Sequence, residues 1–193
     1  MTTTGEVSFT KKEVEKLLAA CTNLEDEVML RLAVTTGLRR VDLSRVTIQN
    51  IREGSLTFHE HKKDRRKEGK VIEERWRTIP LSPVVIQKIE QLKEALGKEG
   101  QKKNEGYLFS WGKSEWGDKT AFNRLQALCS RAGIPERPFH ALRSSAVKLM
   151  QASGYTPEEV AKITGDTIAV IQQHYATPTD AELMERVKAK ELI

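Results

Sequence analysis

The spacing of apolar residues divides the first part of the chain into helices. Thr10 stands three positions before Glu13 and opens an apolar stripe, a pattern that predicts a helix with a capping box at its start. A second helix is predicted from about Leu24 to Gly37, because glycine readily adopts the left-handed turn that ends a helix. Arg39 is therefore expected just past a helix end.

Apolar and polar positions begin to alternate after Val46. This pattern predicts a half-buried strand at Leu56–Phe58 and another strand over Val71–Ile79. The segment between them, Lys62–Lys70, is too charged for a core, so we expect a basic hairpin loop there. Such a loop suits a DNA groove, although a solvated turn has the same sequence pattern.

Helical spacing returns at Ser82–Pro83 and continues to the C-terminus. The first helix of this half is expected to end at Gly97, before a polar connection over Lys98–Gly106. Later helices are predicted to end at Gly133, Gly154 and Gly165, and an amphipathic tail helix spans about 180–193. The sequence thus predicts one domain over residues 1–193, mainly α-helical with a small antiparallel β-sheet.

Two tryptophans, Trp111 and Trp116, flank the short apolar run Tyr107–Phe109. Their rings have faces on which bases stack, but packing inside a protein is the more common environment for such residues. We therefore expect both side chains to be buried.

Composition narrows the class of protein. Hydrophobic residues make up 38% and charged residues 31% of the chain, a balance typical of globular domains. Residues 1–7 lack the features of a signal peptide, and no apolar run approaches the length of a membrane span, so we expect a cytoplasmic protein without membrane contact. The 32 basic residues exceed the 27 acidic ones, which suits a phosphate backbone without indicating one by itself.

The two cysteines, Cys21 and Cys129, have no CxxC partner. This argues against a disulfide framework or a metal cluster and favours core thiols. The sequence also contains no P-loop and no acidic metal cluster, so we expect neither cofactor nor metal.

Four groups of polar residues follow one another along the chain, each of them common in unrelated proteins when taken alone. They are Gly37, Leu38, Arg39 and Asp42 around a helix end; the basic hairpin; His140 and Arg143 at helical spacing; and Gly165 and Asp166 followed by Tyr175. Their order and spacing together, from about Phe9 to Pro178, resemble the tyrosine recombinases of the phage integrase family.

The resemblance implies a site-specific DNA recombinase that cleaves and rejoins DNA through a 3′-phosphotyrosine at Tyr175. Arg39 and Arg143 would stabilise the non-bridging oxygens, because a guanidinium binds two oxygens at once and stays charged. His140, on the same helical face as Arg143, would donate to the same phosphate. The phosphotyrosine conserves bond energy, so this chemistry needs no ATP and no metal.

The resemblance also implies a lysine in the hairpin as general acid for the leaving 5′ oxygen. Lys63 is the best match, and the adjacent Lys62 is a competitor. The basic residues expected to contact DNA are Lys62, Arg65, Arg66 and Arg40.

Asp166 departs from the family pattern, which usually has His or Trp as a phosphate donor at this position. A carboxylate cannot donate unless it is protonated. Either Asp166 pairs with Arg39 or Arg143 as a positioning group, or another residue supplies the donor, His174 being one candidate.

The N-terminal DNA-clamping domain usual in the family is not expected here, so DNA binding should be weak and salt-sensitive. We expect double-stranded DNA as partner, at the nucleoid, and a homo-oligomer, a tetramer, on that DNA. The tail helix, with Leu183, Val187 and Leu192, would dock onto a neighbouring subunit or pack in cis. A type IB topoisomerase-like enzyme and a non-catalytic DNA-binding module are the alternatives.

Overall fold

The computed structural model describes residues 8–60, 65–67 and 70–175, together with Met184 and Lys188. For residues 65–67, 71 and 173–175 only the backbone is described. The helices are α1 (Lys11–Ala19), α2 (Leu24–Thr36), α3 (Arg40–Ser44), α4 (Pro83–Lys103), α5 (Gly117–Ala132), α6 (His140–Ala152), α7 (Pro157–Thr164) and α8 (Ile168–Tyr175). The strands are β1 (Ile51–Arg52), β2 (Ser55–His59), β3 (Arg65–Lys67), β4 (Lys70–Glu73) and β5 (Trp76–Pro80).

The predicted helix boundaries near the N-terminus are confirmed. The Thr10 hydroxyl accepts from the Glu13 N–H and the Glu13 carboxylate accepts from the Thr10 N–H, which completes the capping box of α1. The second helix ends at Gly37, whose φ of 65° is left-handed, and Arg39 follows as the residue before α3. A site arginine is thus placed by a helix end.

A central helix, α2, organises the main core. It packs against α4 and α6, and side chains on most of its surface are buried. Its acidic residues lie in the first turn and the rest of the helix is largely apolar, which explains why other helices enclose it. Fully buried residues of this helix include Val28, Met29, Leu30, Leu32 and Ala33.

A second, smaller apolar cluster lies apart from the main core and joins the last described helices. It consists of Ala146, Val147 and Met150 of α6, Val160 and Ala161 of α7, and Ile171 of α8. Among the described side chains of α8, that of Ile171 is the buried one. We call this group the satellite cluster.

The predicted sheet is present, but the prediction of one strand over Val71–Ile79 is wrong. Strands β1, β2 and β5 form an antiparallel sheet in that order, whereas β3 and β4 pair only with each other. Pairing of Phe58 with Arg77 aligns β2 with β5, whereas β3 and β4, which lie between them in sequence, form a separate two-stranded sheet. Lys62 and Lys63 lie outside the described residues.

The predicted helix end at Gly97 is confirmed, but the prediction of a polar connection over Lys98–Gly106 is wrong for its first part. Gly97 has a φ of 61° and kinks α4, but the helix resumes and continues to Lys103. The predicted polar connection after Gly97 is rich in Lys, Glu and Gln, which are good helix formers, so its first part is helical. The glycine thus ends one helical segment, and a second segment follows it across the kink.

The two tryptophans differ in environment. Trp111 is buried and stacks on Phe109, as predicted, whereas Trp116 is 65% exposed, so the prediction of its burial is wrong. The neighbouring Gly117 packs closely on Trp111, since a Cβ on this glycine would lie only 2.6 Å from the Trp111 carbonyl oxygen. The indole of Trp116 is left outside, with Lys119 over its ring.

The two thiols are both reduced. Cys129 is fully buried in α5, which confirms a core thiol, and Cys21 is half-buried just after α1. Burial raises the pKa of Cys21 to about 11, with the nearby Asp26 and Glu27 adding to the effect. Because the thiolate is the reactive form, Cys21 is unreactive at neutral pH.

Of the predicted tail helix over 180–193, only Met184 and Lys188 are among the described residues. None of the described helices combines the length and apolar character needed to span a bilayer.

The cap of α7 gives a test of the local structure that carries residues 164–166. The Thr156 hydroxyl accepts from the Glu159 N–H, so Thr156→Ala should lower the free energy of unfolding by about 1 kcal/mol. Urea denaturation measures the change. Thr156→Ser keeps the acceptor and should unfold near the wild-type midpoint; equal midpoints for the Ala and Ser variants would contradict the role of the cap.

Candidate active site

Three of the residues predicted to meet at a phosphate line one cavity of about 410 Å³. Arg39 approaches from the end of α2, and His140 and Arg143 come from successive turns of α6. His140 is exposed and Arg39 half-buried, while Arg143 is only 3% exposed. The cavity therefore has a buried cation at its floor and two further donors nearer its opening.

Arg143 is held in place by two helix ends. Its guanidinium donates to the carbonyl oxygen of Gly37, at the end of α2, and to that of Thr164, at the end of α7, at 2.8 Å. Carbonyls at helix C-termini lack intrahelical partners and carry partial negative charge. One buried side chain thus connects α2, α6 and α7.

Asp166 contacts both predicted arginines. Its Oδ1 lies 2.7 Å from Arg143 Nη2 and 3.8 Å from Arg39 Nη2. The side chain is 15% exposed and follows the left-handed turn at Gly165, where φ is 75°. This is the position that the predicted positioning role requires.

Two further charged residues, Glu60 and Arg77, belong to the same group and were missed in the sequence. Glu60 Oε1 lies 3.3 Å from Arg77 Nε and 3.7 Å from Arg39 Nη1. A signal was available: Glu60 continues the buried alternation of Leu56 and Phe58, and Arg77 shares a strand face with the buried Ile79. Charged residues in phase with a buried face indicate a charged pair inside the protein.

The site carries more positive than negative charge. Three guanidiniums, those of Arg39, Arg77 and Arg143, face the carboxylates of Glu60 and Asp166, which leaves a formal charge of +1. Burial lowers the pKa of Arg77, an effect that Arg143 and Arg39 increase and Glu60 opposes. The excess positive charge suits an anionic ligand such as a phosphodiester.

The structure gives less detail for the other predicted residues. Tyr175 is the last residue of α8 and His174 precedes it, but neither side chain is described. Arg65 and Arg66 belong to β3, again without described side chains. Arg40 pairs with Asp118 at 3.0 Å and lines the cavity, so its contact with DNA stays a prediction.

Within the part of the chain that the structure describes, no group of three or more His, Cys, Asp or Glu residues is arranged to hold a metal ion.

Comparisons with known proteins agree with the resemblance seen in the motifs. The model of the phage integrase family matches residues 8–182. No curated protein sequence matches the chain.

Solved structures of recombinases have the same fold. XerA recombinase matches 95% of this chain with a TM-score of 0.73 and 18% identity, and the catalytic domain of bacteriophage HP1 integrase matches 94% with a TM-score of 0.59 and 19% identity. XerH recombinase in a post-cleavage complex with its difH substrate matches 95%, with a TM-score of 0.63 and 16% identity. These structural matches confirm the predicted catalytic-domain fold. This chain spans 64% of the length of XerA, 54% of XerH and 94% of the HP1 domain.

The contact between Asp166 and Arg143 makes a stability prediction. Asp166→Ala leaves a buried guanidinium without its carboxylate, which should lower the free energy of unfolding by about 2 to 3 kcal/mol. Asp118, the partner of Arg40, is more exposed than Asp166. Asp118→Ala should therefore lower the free energy of unfolding by only about 0.2 to 1 kcal/mol. Urea denaturation compares the two, and equal effects would show that the Asp166 carboxylate contributes no more than a surface ion pair.

Proposed function

Because the chain belongs to the phage integrase family, whose model matches residues 8–182, we propose that it is a site-specific DNA recombinase. It cleaves and rejoins DNA by transesterification through a 3′-phosphotyrosine at Tyr175. The observation that carries the proposal is the shared cavity of Arg39, His140 and Arg143.

The cavity residues act on the scissile phosphate. In-line attack on a phosphodiester increases negative charge on the non-bridging oxygens, and fixed cations lower the free energy of that state. Arg143, held by two carbonyls, and Arg39, nearer the opening, bind these oxygens, while the exposed His140 donates a further hydrogen bond. Because the protein holds these donors before DNA arrives, little reorganisation is needed during the reaction.

The bond changes are an exchange of oxygens at phosphorus. Tyr175 Oη forms a bond to phosphorus as the bond to the 5′ oxygen breaks, and nearby guanidiniums favour the phenolate. Lys63 gives its proton to the leaving 5′ oxygen. A 5′ hydroxyl then gives its proton back to Lys63 and attacks the phosphotyrosine; the bond between phosphorus and Tyr175 Oη breaks, which rejoins DNA and releases Tyr175 as the phenolate.

Asp166 serves as a positioning residue in this proposal. An ionised carboxylate cannot donate to phosphate, but its oxygen lies 2.7 Å from Arg143 and 3.8 Å from Arg39. At 2.7 Å the same carboxylate also competes with an incoming anion for Arg143. That competition favours one alternative, a DNA-binding protein of this fold without cleavage activity.

The partner in this proposal is double-stranded DNA, with recombination carried out by a tetramer of this chain at the nucleoid. Support comes from related folds: XerH is seen with its difH substrate, and lambda integrase as a dimer bound to a core site. Strand exchange requires two DNA duplexes held together, which separates this activity from that of a type IB topoisomerase.

Cleavage gives the direct test. The chain is incubated with a pool of nicked duplexes of randomised sequence, and protein–DNA adducts that resist denaturation are captured and sequenced. The unchanged chain should form such adducts on a preferred sequence, whereas Tyr175→Phe should form none, because a phenyl ring has no nucleophilic oxygen. Gel shifts by both proteins without any adduct would identify the chain as a DNA-binding module.

The assignment of Lys63 over Lys62 is tested by changing the leaving group. Lys63→Ala should slow cleavage by roughly 10²- to 10⁴-fold, and a 5′-bridging phosphorothiolate should restore the rate because a thiolate leaves without a proton. Lys62→Ala should slow cleavage less and gain nothing from sulfur. Rescue of Lys62→Ala alone would assign the general acid to Lys62.

A further inference from the structure

We propose that Glu60 and Arg77 form a positioning pair that fixes Arg39 and the Gly165–Asp166 turn for phosphate binding. The inference rests on the proposed recombinase function and extends the site to two residues outside the four motif groups of this chain. Glu60 directly follows β2 and Arg77 lies in β5, which pairs with β2. The sheet therefore becomes part of the phosphate site.

The first step concerns the buried carboxylate. Glu60 is 1% exposed, and an ionised carboxylate away from water is stable only beside positive charge or hydrogen-bond donors. Its Oε1 faces Arg77 Nε at 3.3 Å and Arg39 Nη1 at 3.7 Å. One oxygen therefore lies between a guanidinium of the sheet and a guanidinium of the cavity.

The second step concerns the attachment of Arg77. Its Nη1 donates to the carbonyl oxygen of Lys162 at 2.9 Å and to that of Ile163, both in the last turn of α7. The guanidinium also lies over the Phe58 ring, 4.8 Å from its centroid. Arg77 is thus fixed to both the sheet and the end of α7, and it can hold Glu60 in a defined place.

The third step concerns the turn after α7. A Cβ on Gly165 would lie 2.8 Å from Arg77 Cζ and 2.8 Å from Glu60 Oε1, so the turn backbone rests directly on the pair. Asp166 comes next in the chain, and the carbonyl of Thr164 just before the turn accepts from Arg143. The pair therefore contacts the segment that supports the cavity floor.

The distances from Arg39 to the two carboxylates indicate that they orient its guanidinium without taking up its hydrogen-bond donors. A carboxylate in close, two-point contact uses the donors that a phosphate needs, whereas Glu60 and Asp166 stand 3.7 Å and 3.8 Å from Arg39. Arg39 is a long side chain on a short connection between helices, with 24% of its side chain exposed. Charge on two sides restricts its orientation while leaving donors for DNA.

The experiment compares cleavage with binding. On the DNA selected by the unchanged chain, single-turnover adduct formation is measured at saturating protein, and the dissociation constant is measured by fluorescence anisotropy. Glu60→Gln keeps the shape and removes the charge, and it should slow adduct formation by about 10- to 100-fold with little change in binding. Arg77→Lys should also slow it, because an ammonium cannot reproduce the several fixed contacts of the guanidinium.

A double variant separates positioning from general support of the fold. If Glu60 acts through Arg39, Glu60→Gln should add little to the loss caused by Arg39→Lys, whereas independent effects multiply. Glu27→Gln is the matched control, because Glu27 also lies between two cations, Arg31 and Lys88, near the start of α2. It should leave the rate unchanged.

The outcomes are distinct. Three results would each overturn the positioning role while the recombinase function stands. The first is a wild-type rate for Glu60→Gln, and the second is a loss in the double variant equal to the product of the two single losses. The third is a loss of rate no larger than the unfolded fraction of Glu60→Gln found by thermal denaturation. Failure of the unchanged chain to form any adduct would overturn the proposed function and this role with it.

Discussion

The site depends on the hydrogen bonds that the buried guanidinium of Arg143 donates to two helix ends. This guanidinium joins α6 to the carbonyl-bearing ends of α2 and α7, through Gly37 and Thr164. Those carbonyls have no partner within their own helices, and the cation satisfies them where water is excluded. Arg39 follows the end of α2 and Asp166 follows the end of α7. The hydrogen bonds of Arg143 that join these helix ends therefore also bring the phosphate-binding residues together.

The site meets two opposing requirements. Binding a phosphodiester requires concentrated positive charge, but three guanidiniums close together repel one another in a medium of low dielectric. Glu60 and Asp166 reduce that repulsion before DNA is present. They leave a small positive excess in place of a large one, so the arginines can be held in fixed positions without a bound anion.

Local patterns in the sequence were enough to predict much of the fold. The capping box at Thr10 and the helix ends at Gly37, Gly133 and Gly165 depend on neighbouring residues, and the structure has them as predicted. The division of Val71–Ile79 between two sheets depends on pairing with a distant strand, which alternation alone does not specify. Gly97 ends one helical segment as the local rule predicts, but a second segment follows it across a kink, which the glycine alone does not specify.

The site was predicted in part, for the same reason. Spacing along α6 indicated that His140 and Arg143 share a face, and the motif order placed Arg39 with them. Glu60 and Arg77 are far from these motifs in sequence, and their role follows from which strand face is buried. Charge at a buried strand position is a weak signal until its partner is known. The side chain of Tyr175 and both hairpin lysines lie outside the described residues, so their roles stay predictions.

The satellite cluster has a consequence for the helix that ends at Tyr175. That helix, α8, rests on a few side chains of α6 and α7, and Ile171 is its buried residue among those described. Burying one isoleucine contributes about 1.5 to 3 kcal/mol, well below the roughly 5 to 15 kcal/mol that keeps a whole domain folded. The described side chains of α8 therefore bury much less apolar surface than those of α2. The helix that ends at Tyr175 thus packs, through the satellite cluster, on the helix that carries His140 and Arg143.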